Sequence, residues 1–351
     1  MGPLPGANVK SYSGSLTVNK TYNSNLFFWF FPSQVRPETA PMLLWLQGCP
    51  GGTSMFGLFV EHGPYVVYQN LTVGARKFPW TSKYSVLYID NPVGTGFSFT
   101  DDDKGCARNQ DDVGRDLYSA LTKFFQIFSE YQNDEFCATG ESYAGKYVPA
   151  IGYYIHKNNA SSKIKINFNG VAIGDDLCDP EVMLASYVEF MYQSGVVDEK
   201  QKQFVQQQAD LVVNYIQQKK WVEAFEVFDV LLNGDTIPYP SFYQNVTGCT
   251  NYFNLLQCQV LIYSGQLDII VAAPPTERFL PTVPWSKVEE YKAADRFFWK
   301  VNPDDSEVAG YVCQVGEFYQ VIVRGGGHIL PYDQPERSFD MIDRFLSKTA
   351  W

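Results

Sequence analysis

The stretch FCATGESYAGKYVPAIG, residues 136–152, sets a serine between a glutamate and a tyrosine, with Gly140 ahead of the pair and Ala144 and Gly145 behind it. Residues 135–140 read as a short strand. Residues 142–157 read as the helix that follows, kinked at Pro149, where the missing N–H and the bulky ring disturb the helical ladder. Strand, Gly-x-Ser-x-small, helix is the layout of a nucleophile elbow. The turn admits only small residues around the serine, and the helix start offers free N–H groups and a positive dipole end to an oxyanion. Here the pattern is Gly140-Glu141-Ser142-Tyr143-Ala144, with alanine where the strict motif has a second glycine. A serine that merely caps a helix fits the same five residues.

The flanking sequence alternates strand and helix signals. Residues 25–31, 41–48 and 84–90 are short apolar runs ended by Pro, Gly or Asp, as buried strands are. Residues 111–131 place Val113, Leu117, Leu121, Phe124 and Phe128 at helical spacing behind Asp111 and Asp112, which suit a helix start. Residues 163–175 read as a further strand. Residues 180–258 are Gln-rich and helical, an inserted cap. A core pattern resumes at 259–271 and 318–331, and a closing helix covers 334–348. The expected organisation is a first core segment (1–179), the cap (180–258) and a second core segment (259–351), with a mostly parallel sheet carrying helices on both faces.

A serine nucleophile needs a base, and the base needs an orienting acid. The chain has three histidines. His156 falls on the helix after the elbow, and His62 comes early in the chain. His328 follows Arg324-Gly-Gly-Gly at the end of a core strand. The chain order for this elbow is serine, acid, histidine. His328 satisfies it, and Asp268 ends the strand between them. The expected triad is Ser142, Asp268 and His328.

Composition narrows the setting. The chain has 351 residues, 45% of them hydrophobic and 16% aromatic, enough for a large core. A net charge of −11 argues against nucleic acid and anionic membrane as partners. No apolar run is long enough for a membrane span. The first ten residues lack the basic and apolar regions of a signal peptide. Four N-x-S/T sequons, at Asn19, Asn70, Asn159 and Asn245, favour a secretory protein whose leader is removed. Seven cysteines are present, and Cys249 and Cys258 flank a loop short enough for a disulfide. Buried free thiols in a reduced cell fit these counts equally well.

The segments GESYAGKYVP, WLQGCPGGTSMFG, IDNPVGTGFSF, GQLDII and GGGHILPYDQP resemble the serine carboxypeptidases, nearest the vitellogenic-like branch. The resemblance runs over nearly the whole chain. It implies an α/β-hydrolase fold with a helical cap, peptide substrates with a free C-terminus, acidic pH, N-glycans, and a lysosomal or secreted location. It implies no metal and no organic cofactor. It also assigns roles. Glu141 and Glu61 fall where the family has two carboxyls sharing a proton. Gln47 and Gly48 fall where it holds the substrate's terminal carboxylate. The N–H groups of Tyr143 and Cys49 fall at the oxyanion hole. Two close carboxyls raise one another's pKa, and a carboxyl that keeps its proton can donate to a carboxylate. Without the resemblance, Glu61 reads as a solvated loop carboxylate.

Two departures stand out. Cys49 replaces a family glycine, so a turn requiring positive φ would be strained and its sulfur would crowd the site. The sequence LLQCQVLIYSGQLD runs straight from cap to core strand, where the family has several tens of residues of crossover. Both changes motivate the alternative of an impaired or inactive relative that binds peptides or partner proteins.

Overall fold

Strand β2 (Ser24–Phe31) shows how the first half of the chain buries itself. Its side chains alternate between two apolar clusters. Leu26, Phe28 and Phe30 join one, and Phe27 and Phe31 the other. Two further strands alternate in the same way. In β3 (Met42–Leu46), Met42, Leu44 and Leu46 face the first cluster and Trp45 the second. In β6 (Ser85–Ile89), Leu87 and Ile89 oppose Val86 and Tyr88. Both faces are therefore covered, which is why these runs are apolar throughout.

The computed structural model describes every residue except 1–7, 176, 194, 235, 237–239, 249–259, 268–273, 275–276, 278–279, 283–284, 317, 328–329 and 348. The chain divides into two compact units, Met1–Asp179 and Pro180–Trp351.

The first unit holds a six-stranded sheet in the order β1-β2-β6-β3-β7-β8, where β1 is Tyr12–Asn19, β7 Phe136–Glu141 and β8 Phe168–Gly174. Strands β6, β3, β7 and β8 run parallel, and β1 and β2 add an antiparallel edge. A short hairpin pairs β4 (Tyr65–Val67) with β5 (Val73–Ala75). Helices α1 (Gln110–Ile127) and α2 (Ala144–Asn159) contribute Leu117, Leu121, Phe124, Val148 and Ile151 to the first cluster. Asn109 caps α1 by accepting from the Asp112 amide at 2.9 Å, and the acidic first turn complements the helix dipole.

Strand β8 starts five residues later than the sequence suggests. The side chain of Asn159 clamps Ile166, donating to its carbonyl at 2.9 Å and accepting from its amide at 2.8 Å. Backbone groups satisfied by a side chain are not available to a strand ladder. Helix α2 runs through Pro149. The Gly145 carbonyl, which proline leaves without its helical donor, accepts from the Cys178 thiol at 3.4 Å.

The second unit begins with the helices α3 (Pro180–Gln193), α4 (Glu199–Gln217), α5 (Trp221–Phe228) and α6 (Phe242–Thr247), of which α4 is Gln-rich. Capping boxes start α4, through Asp198 and Gln201, and α6, through Ser241 and Gln244. A four-stranded sheet follows in the order β10-β11-β12-β9. Strand β9 (Val260–Gly265) runs parallel to β12 (Phe318–Val323). The others, β10 (Phe297–Trp299) and β11 (Gly310–Val315), are antiparallel neighbours. The closing helix, Pro335–Ser347, brings Met341 against Trp299, Val321 and Leu330. Among the described residues no helix is long and apolar enough to cross a membrane.

Candidate active site

Strand β7 ends at Glu141, and Ser142 turns the chain with φ +58° before α2 begins. A left-handed φ at a non-glycine residue is the strain expected of a nucleophile elbow. Ser142 is exposed. It does not cap α2, whose N-cap is Tyr143 and which has no side-chain cap. The small-residue rule has a direct cause. A Cβ on Gly140 would lie 2.5 Å from the Leu46 carbonyl oxygen and 2.6 Å from the Ala144 Cβ. The elbow's backbone is pinned by its amide to the Gly174 carbonyl at 3.1 Å and by the Leu177 amide to the Ser142 carbonyl at 2.9 Å.

The loop after β3 lies against this turn. A Cβ on Gly48 would come within 2.4 Å of the Tyr143 nitrogen, 2.7 Å of the Glu141 oxygen and 2.8 Å of the Ser142 Cβ. Close backbone approach, not a left-handed φ, requires glycine here. Cys49 follows with φ +95°, so the expected strain is present. The loop is tied to the end of β6 by Asp90, which is fully buried. Its carboxylate accepts from the Thr53 hydroxyl (2.7 Å), the Ser54 amide (2.9 Å) and the Phe97 amide (2.8 Å). Burial raises its pKa and these donors oppose the rise.

The side chains beside the elbow form one chain of donors. The Trp45 indole donates to the Gln47 oxygen at 3.0 Å, which leaves the Gln47 amide nitrogen to donate to Glu141 at 2.6 Å. Glu61 is part of the same group. Its pKa is pushed up to about 8, first by burial, then by the charge and hydrogen bond of Glu141; Gln47 and Arg76 pull the other way. This is not a solvated loop carboxylate. Arg76 donates to the carbonyls of Phe59 (2.7 Å), Gly63 (2.9 Å) and Tyr65 (2.9 Å), fixing the turn that carries Glu61 and His62. Sequence reasoning passed over Trp45, Arg76 and Asp90. The one signal available was Asp90 itself, a charge closing an unbroken apolar run.

Asp268, His328, Cys249 and Cys258 lie outside the described residues. The chain leading to the first two is described, however. The Leu267 amide donates to the Gly326 carbonyl at 2.8 Å, so the segments approaching Asp268 and His328 run side by side. Among the sequon asparagines, Asn70 and Asn245 are exposed and Asn19 is half-buried. The Asn159 nitrogen, the atom a glycan would occupy, is committed to Ile166.

Comparison with known proteins gives a consistent answer. The profile of the family described as serine carboxypeptidase matches residues 3–254 and 236–348. A human protein named probable serine carboxypeptidase CPVL is 54% identical over 409 positions, covering 100% of this chain and 86% of that protein. The venom serine carboxypeptidase of Apis mellifera is 43% identical over 397 positions, with 96% of this chain and 84% of that protein covered. The vitellogenic carboxypeptidase of Aedes aegypti is 35% identical over 404 positions, with 97% and 84% covered. Among solved structures, the Saccharomyces cerevisiae prohormone-processing carboxypeptidase Kex1 superposes with a TM-score of 0.58 at 21% identity, covering 97% of this chain and 92% of that one. That likeness identifies the α/β-hydrolase fold. The human alignment spans 409 positions against a chain of 351, so at least 58 of its positions have no residue of this chain opposite them.

Proposed function

Because the chain belongs to the serine carboxypeptidase family, and is a hydrolase of that kind, we propose that it releases C-terminal residues from peptides through an acyl-enzyme, on the acid side of a shared carboxyl titration. The observation that carries this reading is the Gln47–Glu141 hydrogen bond at 2.6 Å beside Glu61, whose pKa burial and Glu141 push up to about 8. A protonated carboxyl and an amide nitrogen are donors suited to a substrate's terminal carboxylate. The Gly48 N–H completes that cradle. A first core segment (1–179), a cap (180–258) and a second core segment (259–351) belong to the same proposal.

In this mechanism the Ser142 oxygen bonds to the last peptide carbonyl carbon while its proton passes to His328, held by Asp268. The oxyanion takes hydrogen bonds from the Tyr143 and Cys49 amides. Collapse breaks the C–N bond as His328 returns the proton to the leaving amine. A water then attacks the ester, giving its proton to His328, and Ser142 leaves with that proton. Glycans at exposed Asn70 and Asn245, a Cys249–Cys258 disulfide and a secreted or lysosomal location belong to this reading.

The test uses a fluorophosphonate probe with wild type and Ser142→Ala, and a peptide with its C-terminal amide. Labelling lost in the variant, and cleavage that requires the free carboxylate, support the proposal. An unlabelled but folded wild type overturns it. Cys49 at φ +95° and the 58 absent positions favour a second reading, a peptide-binding relative without turnover. Activity that appears only in Cys49→Gly marks a weakened enzyme. No activity in either form marks the binding role.

A further inference from the structure

We propose that His62 is a positioning residue for Glu61, its Nε2–H being the donor that turns and steadies the Glu61 carboxyl. The inference rests on the carboxylate-binding reading above and adds to it a residue that the triad and the cradle leave unused.

His62 is 6% exposed and enclosed by aromatic rings. Its imidazole stacks on Trp80 (4.0 Å between centroids, 15° between planes), meets the edge of Trp45 (4.2 Å) and lies near-parallel to Tyr88 (5.7 Å). The main chain fixes it as well, since the His62 amide donates to the Gly57 carbonyl at 3.0 Å and its carbonyl accepts from the Trp80 amide at 2.9 Å. The ring therefore cannot swing away. Its Nδ1 lies 3.2 Å from the Tyr88 hydroxyl. Its Nε2 faces Glu61, 4.0 Å from Oε2. Two buried polar atoms in this place lack a partner among the described residues, and they are His62 Nε2 and Glu61 Oε1. Buried polar atoms without partners are costly, and these two satisfy one another if the carboxyl rotates onto the ring. Catalytic hydrogen bonds are often long before substrate binds and tighten afterwards.

The titratable groups around the ring decide its proton. Burial, and then Arg76, hold the imidazole down to about 3, so it is neutral at any working pH. Burial raises the Tyr88 phenol, with the Glu61 charge adding to the rise, so Tyr88 keeps its hydroxyl proton and can donate it to Nδ1. With Tyr88 as the donor to Nδ1, the ring's hydrogen sits on Nε2 and faces Glu61. Glu141 and Arg76 are the other charges facing Glu61. A donor to the ionised carboxyl favours ionisation. His62 thus limits how far burial and Glu141 raise Glu61, and sets the pH at which the terminal-carboxylate cradle loses its proton.

The experiment compares wild type, His62→Phe and His62→Gln. Phenylalanine keeps the stack and removes the N–H, while glutamine supplies an N–H donor. The pH dependence of KM is measured for a peptide and for its C-terminal amide. The expected result is that His62→Phe moves the alkaline rise in KM for the free peptide upward by about one to two pH units. It leaves kcat and the amide unchanged, and His62→Gln restores the wild-type position. An unmoved rise, or equal movement with the amide, overturns the inference. If wild type itself treats peptide and amide alike at all pH, the cradle reading fails and this inference falls with it. Nitrogen-15 spectra of imidazole-labelled wild type need no phenylalanine variant, and His62→Gln assigns the His62 signal. A neutral Nε2–H tautomer whose shift follows a titration near 8 supports the proposal. An Nδ1–H tautomer or a flat trace overturns it.

Discussion

The amide nitrogen of Gln47 reaches Glu141 at 2.6 Å because the Trp45 indole occupies its oxygen at 3.0 Å. The indole fixes which end of the amide faces the carboxyl, so the glutamine arrives at Glu141 as a donor. With Glu61 protonated to about 8, the group offers hydrogens and no uncompensated pair of negative charges.

Glu61→Gln tests that balance. On the proposed reading Glu61 stays neutral below about pH 8 and KM for peptides should be flat there. Above it the proton leaves, repulsion from two carboxylates sets in, and KM rises. Glutamine never ionises, so KM of Glu61→Gln stays low at pH 9. The stability sign agrees. The folded pKa lies above the unfolded one, so this group stabilises the fold fully at low pH, and the contribution is lost as pH rises from 4.5 to about 8. After allowing for solvent screening the loss is about 2 kcal/mol. Urea denaturation at pH 5 and pH 9 should show it in wild type and not in Glu61→Gln.

Cys49→Gly should stabilise the protein and raise turnover. A non-glycine residue at φ +95° costs roughly 1–3 kcal/mol, and glycine gives back about 0.5–1 kcal/mol through a freer unfolded chain. The net gain is about 1 kcal/mol, or roughly 1–2 °C in Tm for a chain of 351 residues. Relief of the turn re-aims the residue 49 amide, for which kcat should rise by up to about 10²-fold. A lower Tm in the variant would mean that the thiol packs usefully and that the turn is not strained.

Much of this was legible in the sequence where residue type reports the local need. Gly140 is small because a Cβ there would meet the Leu46 carbonyl oxygen and the Ala144 Cβ, and the apolar run of β2 reports burial on both faces. What stayed hidden depends on partners far apart in the chain. Gln47 and Glu141 are 94 residues apart, and Asp90 and Thr53 are 37 apart. Glu61 alone is an ordinary loop acid; only burial and Glu141 make it otherwise. The late start of β8 was unreadable for a different reason: Asn159 and Ile166 are only seven residues apart, but the side-chain clamp between them competes with the strand through geometry that no propensity records.

Gly48→Ala should fold and fail. The added methyl meets the Tyr143 nitrogen at 2.4 Å and the Glu141 oxygen at 2.7 Å, and neither is the end of a flexible side chain. The loop must retreat from the elbow. Overpacking of this kind costs about 1–3 kcal/mol, which a domain of this size survives. The retreat separates the residue 48 and 49 amides from the serine, so kcat/KM should fall by about 10²-fold or more while circular dichroism is unchanged.

Asp90 supplies the final contrast. Alanine at this position leaves the Thr53 hydroxyl and the Ser54 and Phe97 amides without their acceptor, at a cost of about 3 kcal/mol. Asparagine is harder to foresee, because two effects oppose. Its neutral amide escapes the burial penalty that raises the Asp90 pKa. Yet both orientations of the amide set its NH₂ against a backbone donor, Phe97 in one and Ser54 in the other. One lost bond with a donor clash costs about 1–2 kcal/mol, which outweighs the relief because the three donors already offset part of the burial. The order of stability by urea midpoint should be Asp, Asn, Ala. Peptidase activity should fall in the same order, since Asp90 anchors the loop that carries Gln47, Gly48 and Cys49. Stability that falls in this order while kcat/KM holds steady would show that the loop keeps its place without that anchor.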